Sequence, residues 1–332
     1  MSSPVRIAIS MGDPAGIGPE VTLKAITSPI LSAAIAPILV GDAAVWRETA
    51  DRLGLSLEFR PPRQAGRAGA VALVEASTLE AATRVPGWPR DAATAAACGE
   101  AAYAAILAAA RLVQDGQAAA LVTAPISKAH VAAAGHDIPG HTELLAALCG
   151  GVPVRMMMAG DRLRVVLATT HMALAEVPRR LTRELILETI MLTADSLHRH
   201  FALAAPRVAV AGLNPHAGED GRFGDEEGRL IAPAVQGARQ LGVNVEGPLA
   251  ADGLFAQAVN GRYDAIVCMY HDQGLGPFKL LHFADGVNFT VGLPFIRTSP
   301  DHGTAFDLAG TGQADPSSMI AALRLAARLA PG

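Results

Sequence analysis

Residues 163–171 read LRVVLATTH, residues 207–216 read RVAVAGLNPH, and residues 265–271 read AIVCMYH. Each is a short apolar run, rich in β-branched side chains, that ends in a histidine. Short apolar runs bounded by polar turn residues predict strands buried in a sheet. In an open α/β sheet the carboxyl ends of the parallel strands face a shared crevice where ligands bind. Three imidazoles brought to one such rim predict a divalent metal on His171, His216 and His271, with a coordination position left open for a reactant. A lone histidine there would read as a polar cap; the repetition is what points to a metal.

Outward from these strands the pattern alternates. Strands are expected at 5–10, at 38–41 after Pro37, at 119–123 and at 287–291. A hairpin is expected from 154–159 and 163–169 about Gly160 and Asp161. Helices are expected at 19–26, 43–53, 93–114, 225–241 and 316–329, and at 182–201 with Thr182 as N-cap. Such alternation predicts an α/β fold with a mainly parallel sheet. Residues 60–69 and 138–141 read as connecting segments, and no repeat of fixed period is present.

Bulk properties exclude several classes. The chain has 332 residues, 27 basic and 31 acidic, for a net charge of −4. With no basic stripe, nucleic acid is not an expected partner. The most apolar region, 92–124, is interrupted by Glu100, Arg111, Gln114 and Asp115, so no membrane span is expected. The N-terminus enters a strand at once and does not read as a signal peptide. Cys98, Cys149 and Cys268 form no CxxC pair, which suits reduced thiols and a cytoplasmic location.

The usual signatures of a Rossmann dinucleotide site, a P-loop, a serine-hydrolase elbow and a zinc-protease helix are absent. The first strand instead opens into MGDPAGIGPE, 11–20. Its glycines Gly12 and Gly16, beside Asp13, let backbone approach a ligand closely. In PGHTE, 139–143, Thr142 is expected to cap a helix whose N-terminus, beside His141, suits an anion. Lys279, Asn288 and Arg297 come after the third histidine and suit a phosphate or carboxylate. Residues 301–312, DHGTAFDLAGTG, read as a polar loop, a short helix and a glycine-rich exit.

Taken together, GDPAGIGPE, PGHTE, ATTH, GLNPHAGE, MYHDQG and GVNFTVGLPFIRTSPDHGTAFDLAGTG resemble the 4-hydroxythreonine-4-phosphate dehydrogenase family of pyridoxal 5'-phosphate (vitamin B6) biosynthesis. The resemblance covers nearly the whole chain, with isocitrate and isopropylmalate dehydrogenases as broader relatives. It implies two α/β domains with an active-site cleft between them: a discontinuous cofactor-side domain at 1–135 and 292–332, and a metal, substrate and dimerisation domain at 136–291. It implies a homodimer with shared active sites, one divalent metal per site (Zn, Co, Ni or Mg) on His171, His216 and His271, and NAD as cofactor, with NADP as the related alternative. It places substrate contacts on His141, Thr142, Lys279, Asn288 and Arg297. Catalytic roles fall on Lys279, Asp252 and His141. Cofactor contacts fall on Gly12, Asp13, Gly16, His302, Gly303, Thr304, Asp307 and Asp315. Asp252-Gly253 stands where the family pattern leads one to expect Asp-Thr.

The implied reaction oxidises a secondary alcohol of a small phosphorylated hydroxy acid, 4-phosphooxy-L-threonine, to a β-keto acid that loses carbon dioxide to give 3-amino-2-oxopropyl phosphate. A Lewis-acid metal suits both the oxidation and the decarboxylation. A paralogue acting on phosphothreonate or phosphoerythronate would share every residue named. A metal-dependent hydrolase on the same histidines would need no NAD site.

Overall fold

The computed structural model describes residues 4–31, 35–63, 70–89 and 91–330. Residues 64–69 of the expected connection at 60–69, and residues 1–3 of the N-terminal segment, lie outside the described residues. The chain forms two compact units, 1–150 with 294–332 and 151–293. The sequence reading assigned 136–150 to the second unit. In the structure this segment carries a helix whose end is held by the first unit, where the Gln114 amide donates to the Leu148 carbonyl at 3.2 Å.

In the first unit, in chain order, lie β1 (Val5–Ser10), α1 (Gly18–Ile26), β2 (Ile35–Asp42), α2 (Ala43–Arg52), β3 (Glu58–Arg60), β4 (Ala70–Ser77), α3 (Ala92–Gln114), β5 (Ala120–Thr123), α4 (Lys128–Ala133) and α5 (His141–Leu148). The second unit holds β6 (Arg155–Ala159), β7 (Arg164–Leu167), α6 (Val177–Arg180), α7 (Arg183–Arg199), β8 (Val208–Ala211), α8 (Ala232–Gln240), β9 (Val245–Leu249), α9 (Ala251–Val259), β10 (Ala265–Cys268), α10 (His271–Leu281) and β11 (Val287–Val291). The chain returns to the first unit with β12 (Ile296–Pro300) and α11 (Ser317–Leu329).

The first unit's strands run in the order β3-β4-β2-β1-β5-β12, every pair parallel. Pro37 lies inside β2 rather than ahead of it, paired with Ile7. The paired ladder with β4 begins at Ile38 opposite Ala72, so Pro37 lies just before it and its missing N–H is tolerated at the ladder's end. Asp42 caps α2 through Ala44 N and Val45 N, at 2.8 and 2.9 Å. Asp91 caps α3 in the same way, accepting from Thr94 N at 2.7 Å.

By length and composition alone α3 could cross a membrane, but 56% of its most apolar stretch is buried, as in a core helix. Its alanine-rich inner face, including Ala101, Ala102, Ala105 and Ala109, packs on β1, β2, β4 and β5. Small side chains there let the helix lie close to the sheet. The second unit's order is β11-β6-β7-β10-β8-β9. Its β11-β6-β7 portion is antiparallel and the rest parallel. The expected hairpin forms between β6 and β7, closed by Gly160 N to Leu163 O at 2.9 Å. Thr182 caps α7 as expected, accepting from Leu185 N at 3.1 Å. The helix expected at 225–241 begins with a π-turn at Glu227–Ile231.

Gly99 is where α3 meets α4: a Cβ there would lie 2.0 Å from the His130 carbonyl oxygen. Gly99→Ala is therefore expected to destabilise the fold by roughly 1–3 kcal/mol through overpacking. A urea midpoint equal to that of the parent chain would contradict this.

Candidate functional site

Strand β10 lies between β7 and β8, parallel to both, with Cys268 opposite Leu167 and Val267 opposite Val210. The carboxyl ends of all three strands therefore share one rim. The β7–β10 ladder continues past the strands, with Ala168 N donating to Cys268 O and Thr169 Oγ1 to Met269 O, at 2.8 and 2.7 Å. This brings His171 and His271 together, with ring centroids 5.6 Å apart. The Nδ1 of His271, the first residue of α10, lies 2.7 Å from Asp272 Oδ1. A carboxylate on one imidazole nitrogen fixes the ring and leaves the other nitrogen to bind a metal.

His216 lies in a tight turn, Pro215–Gly218, with φ of +54°. Among the described residues no three His, Cys, Asp or Glu side chains of one chain come together as a metal group. The structure thus pairs two of the three histidines and leaves the third apart. Two imidazoles, one backed by a carboxylate, fit a nitrogen-preferring ion such as Zn, Co or Ni better than Mg.

In the first unit Arg297, on β12, is only 2% exposed, and its Nη2 donates to Thr123 Oγ1 at 2.6 Å. Burial pulls its guanidinium down to about 10, opposed by the nearby Glu143 charge. His141 opens α5 directly after Gly140, so Thr142 lies inside the helix and does not cap it. Gly140 takes the cap position in extended backbone, with no side-chain cap. The His141 Nε2 is buried without a hydrogen-bond partner. Burial first, then the charges of Arg297 and Lys128, holds this imidazole well below its ordinary range, against a hydrogen bond to the Ala124 backbone.

In the second unit Asn288, on β11 opposite Met158, has a buried Oδ1 without a partner. The Lys279 Nζ of α10 sits 5.8 Å from the Phe283 ring centroid. Asp252 is exposed in the first turn of α9, with Oδ1 accepting from Gly253 N at 2.8 Å.

The 11–20 turn is buried throughout. Gly12 has φ of +73°, and a Cβ there would lie 2.4 Å from Pro125 O, so only glycine fits. The turn holds the 301–312 loop: Ile17 N donates to Thr304 O at 2.9 Å, and a Cβ on Gly16 would meet the same oxygen. Glu20 and Lys24 clamp the loop's exit. Lys24 Nζ donates to Glu20 and to the carbonyls of Gly312 and Ala314, while Ala314 N donates to Glu20 Oε1.

The expected short helix in 301–312 does not form. Ala305, Gly310 and Gly312 take positive φ, and the segment runs as successive turns. Asp13 is fully buried, accepting from Ala15 N at 3.0 Å and paired with His130 Nδ1 at 2.7 Å. Its carboxylate shapes the turn from within. The His302 Nδ1 lies 3.0 Å from Gly303 O, and its Nε2 is buried without a partner. Gly303 and Asp307 are exposed and Thr304 is half-buried. Asp315 leads into α11, and hydrogen bonds from Ser317 lower its carboxyl.

A shallow, open depression lies among Pro14, Gly16, Glu20, Thr49, Arg52 and Gly312. Hydroxyls and a guanidinium on its lining suit an anionic group. The sequence reading missed Thr49, Arg52, His130 and the Glu20–Lys24 pair. The i,i+4 spacing of Glu20 and Lys24 was the one local signal for any of them.

Several comparisons bear on this geometry. The family described as Pyridoxal phosphate biosynthetic protein PdxA matches residues 33–326. A 4-hydroxythreonine-4-phosphate dehydrogenase of Geobacter metallireducens is 52% identical over 329 residues, covering 98% of this chain and 95% of that protein. A D-threonate 4-phosphate dehydrogenase of Pectobacterium atrosepticum is 42% identical, covering 98% and 99%. The crystal structure of a 4-hydroxythreonine-4-phosphate dehydrogenase from Klebsiella pneumoniae matches with a TM-score of 0.89 at 41% identity, covering 98% of this chain and 100% of that one.

The environment of His141 has a consequence for pH. Its folded pKa is depressed, so the unfolded chain takes up the proton first as pH falls through 6.5. The stability from this group is complete above that point and lost below it. An NMR titration is expected to find His141 still neutral at 6.5; a midpoint at or above 6.5 would contradict the buried, cation-flanked environment.

Proposed function

We infer the reaction from the premise that this chain belongs to the family of the pyridoxal phosphate biosynthetic protein PdxA: it is a dehydrogenase, an enzyme of pyridoxal 5'-phosphate biosynthesis acting on 4-hydroxythreonine 4-phosphate. The observation that carries this is 52% identity, over 98% of the chain, to a protein of that name. The product is a β-keto acid that decarboxylates to 3-amino-2-oxopropyl phosphate. The second reading, D-threonate 4-phosphate as substrate, is favoured by 42% identity over 98% of the chain to an enzyme of that name. The two substrates differ in an amino against a hydroxyl group beside the carboxylate.

The metal is assigned to His171 and His271 of one chain with His216 supplied by a second copy, which makes the working unit a homodimer. When bound, the metal supplies Lewis acidity at the reacting oxygen and NAD accepts the hydride. The chain's own residues do the rest. Arg297, His141, Thr142, Lys279 and Asn288 bind the anionic and polar ends of the substrate. The buried, unpartnered His141 Nε2 and Asn288 Oδ1 support this, because such atoms lose little water when a ligand meets them.

Neutral His141 can take or give a proton, and with Lys279 and Asp252 it handles the proton leaving the hydroxyl and the one returned after carbon dioxide departs. The turn at 11–20 and the loop at 301–312, with Asp315, form the NAD platform. Neither partner nor location calls for a membrane or a nucleic acid, and the place of work is the cytoplasm.

The test is release of NADH and carbon dioxide from purified protein with a divalent metal and each phosphorylated acid in turn. The highest kcat/KM is expected with 4-hydroxythreonine 4-phosphate. Faster turnover of D-threonate 4-phosphate would move the assignment to the second reading, and no NADH from either would end the dehydrogenase reading.

A further inference from the structure

The loop that carries His216 is held in an unfavourable shape. His216, Ala217, Glu219 and Asp220 all take positive φ, between 42° and 54°, with Gly218 at 82° between them. Consecutive non-glycine residues in the left-handed region cost free energy and persist only where surrounding contacts enforce them. The enforcing contacts come from Glu227, a carboxylate only 5% exposed at the start of the π-turn. Its Oε1 accepts from Leu213 N and Asn214 N at 2.8 and 2.7 Å, and its Oε2 from Asn214 Nδ2 at 3.0 Å. A Cβ on Gly218 would lie 2.7 Å from Glu227 Oε2, so the loop is wrapped tightly around this carboxylate. π-turns of this kind concentrate at functional sites.

A second buried side chain ties the same loop to the other histidines. Gln273, 9% exposed, donates from Nε2 to Gly212 O and accepts at Oε1 from Met269 N, both at 2.7 Å. Met269 O in turn accepts from Thr169 Oγ1. One chain of hydrogen bonds thus runs from the root of the His171 loop, through that of His271, to that of His216.

We propose that Glu227 is a positioning residue for metal binding: it locks the 212–220 loop in its strained form so that His216 is held out as a ligand, and Gln273 sets that loop in register with the His171–His271 pair. This rests on the reading of His216 as a metal ligand. Neither Glu227 nor Gln273 need touch the metal. The cost of shaping the loop is met on folding, so it need not be met again when the ion binds.

The experiment measures Zn affinity by chelator competition for the full-length parent chain, His216→Ala, Glu227→Gln and the double variant, with circular dichroism to establish folding. Glu227→Gln keeps one acceptor for the two backbone amides but sets an amide against Asn214 Nδ2. It should stay folded and raise the Zn Kd by roughly 10- to 100-fold, the range for residues that orient metal ligands. In the double variant Glu227→Gln should add nothing to the loss from His216→Ala, because it acts through that ring.

Parent-like affinity of Glu227→Gln beside a weakened His216→Ala would overturn this inference alone, as would full additivity of the two losses. Parent-like affinity of His216→Ala would overturn the metal reading and this inference with it. Should Glu227→Gln fail to fold, Gln273→Glu in the same assay takes its place: it removes the donor to Gly212 O, and an unchanged Zn Kd there would overturn the proposal.

Discussion

Backbone hydrogen bonds that align β7, β10 and β8 in parallel decide where the chemistry of the second unit can be. Val165, Ile266 and Ala209 lie in one row across the three strands, so the strands run out together at the same edge. Because the ladder repeats with period two and both faces are buried, a slip of one residue would exchange the two packed faces of each strand. The apolar cluster around Leu167, Ile266 and Cys268 makes such a slip costly. The residues beyond each strand end are then fixed in space: Thr169 against Met269, His171 near His271, and Gly212 tied to Gln273. The placing of His171 beside His271 is a consequence of sheet register.

The first unit reaches a comparable result by different means. No glycine fingerprint of the Rossmann type comes after β1. The buried 11–20 turn is shaped from inside by Asp13, which is engaged by Ala15 N and His130. From outside it is joined to the 301–312 loop by the Ile17–Thr304 hydrogen bond and the Glu20–Lys24 clamp. Residues nearly three hundred positions apart therefore make one surface. Phe306 completes it from beneath, packed with Ala15 and Cys98 and tilted over the His130 ring. Burial pushes the Cys98 thiol up to about 12, so this cysteine serves packing and not nucleophilic chemistry.

The sequence made the three histidine strands, the β6–β7 hairpin and the Thr182 cap legible, because each is a local signal: an apolar run with a stop, a turn dipeptide, a hydroxyl before a helix. It hid what depends on distant partners. Pro37 looked like a strand boundary, and its tolerance inside β2 depends on where the β2–β4 ladder begins. Thr142 looked like a cap, but Gly140 takes that position one residue before His141. The 301–312 segment has helix-forming residues, yet its backbone conforms to the turn it packs on. Arg297 stood out in an apolar context and is indeed buried, whereas the role of Glu227 was invisible: nothing in the local pattern marks a carboxylate that binds backbone a dozen residues earlier.

We propose that His171 and His271 of one chain and His216 of another make one working metal site. The most direct measurement mixes two inactive variants, His216→Ala and His271→Ala, under conditions that let subunits exchange, and reads NADH production. In a mixed dimer one site receives an intact pair from the first variant and an intact His216 from the second. Recovery of about a quarter of parent activity is expected at random reassortment, half the dimers being mixed and each carrying one good site. A mixture that stays as inactive as its components, with mixed dimers isolated through different affinity tags on the two variants, would contradict it.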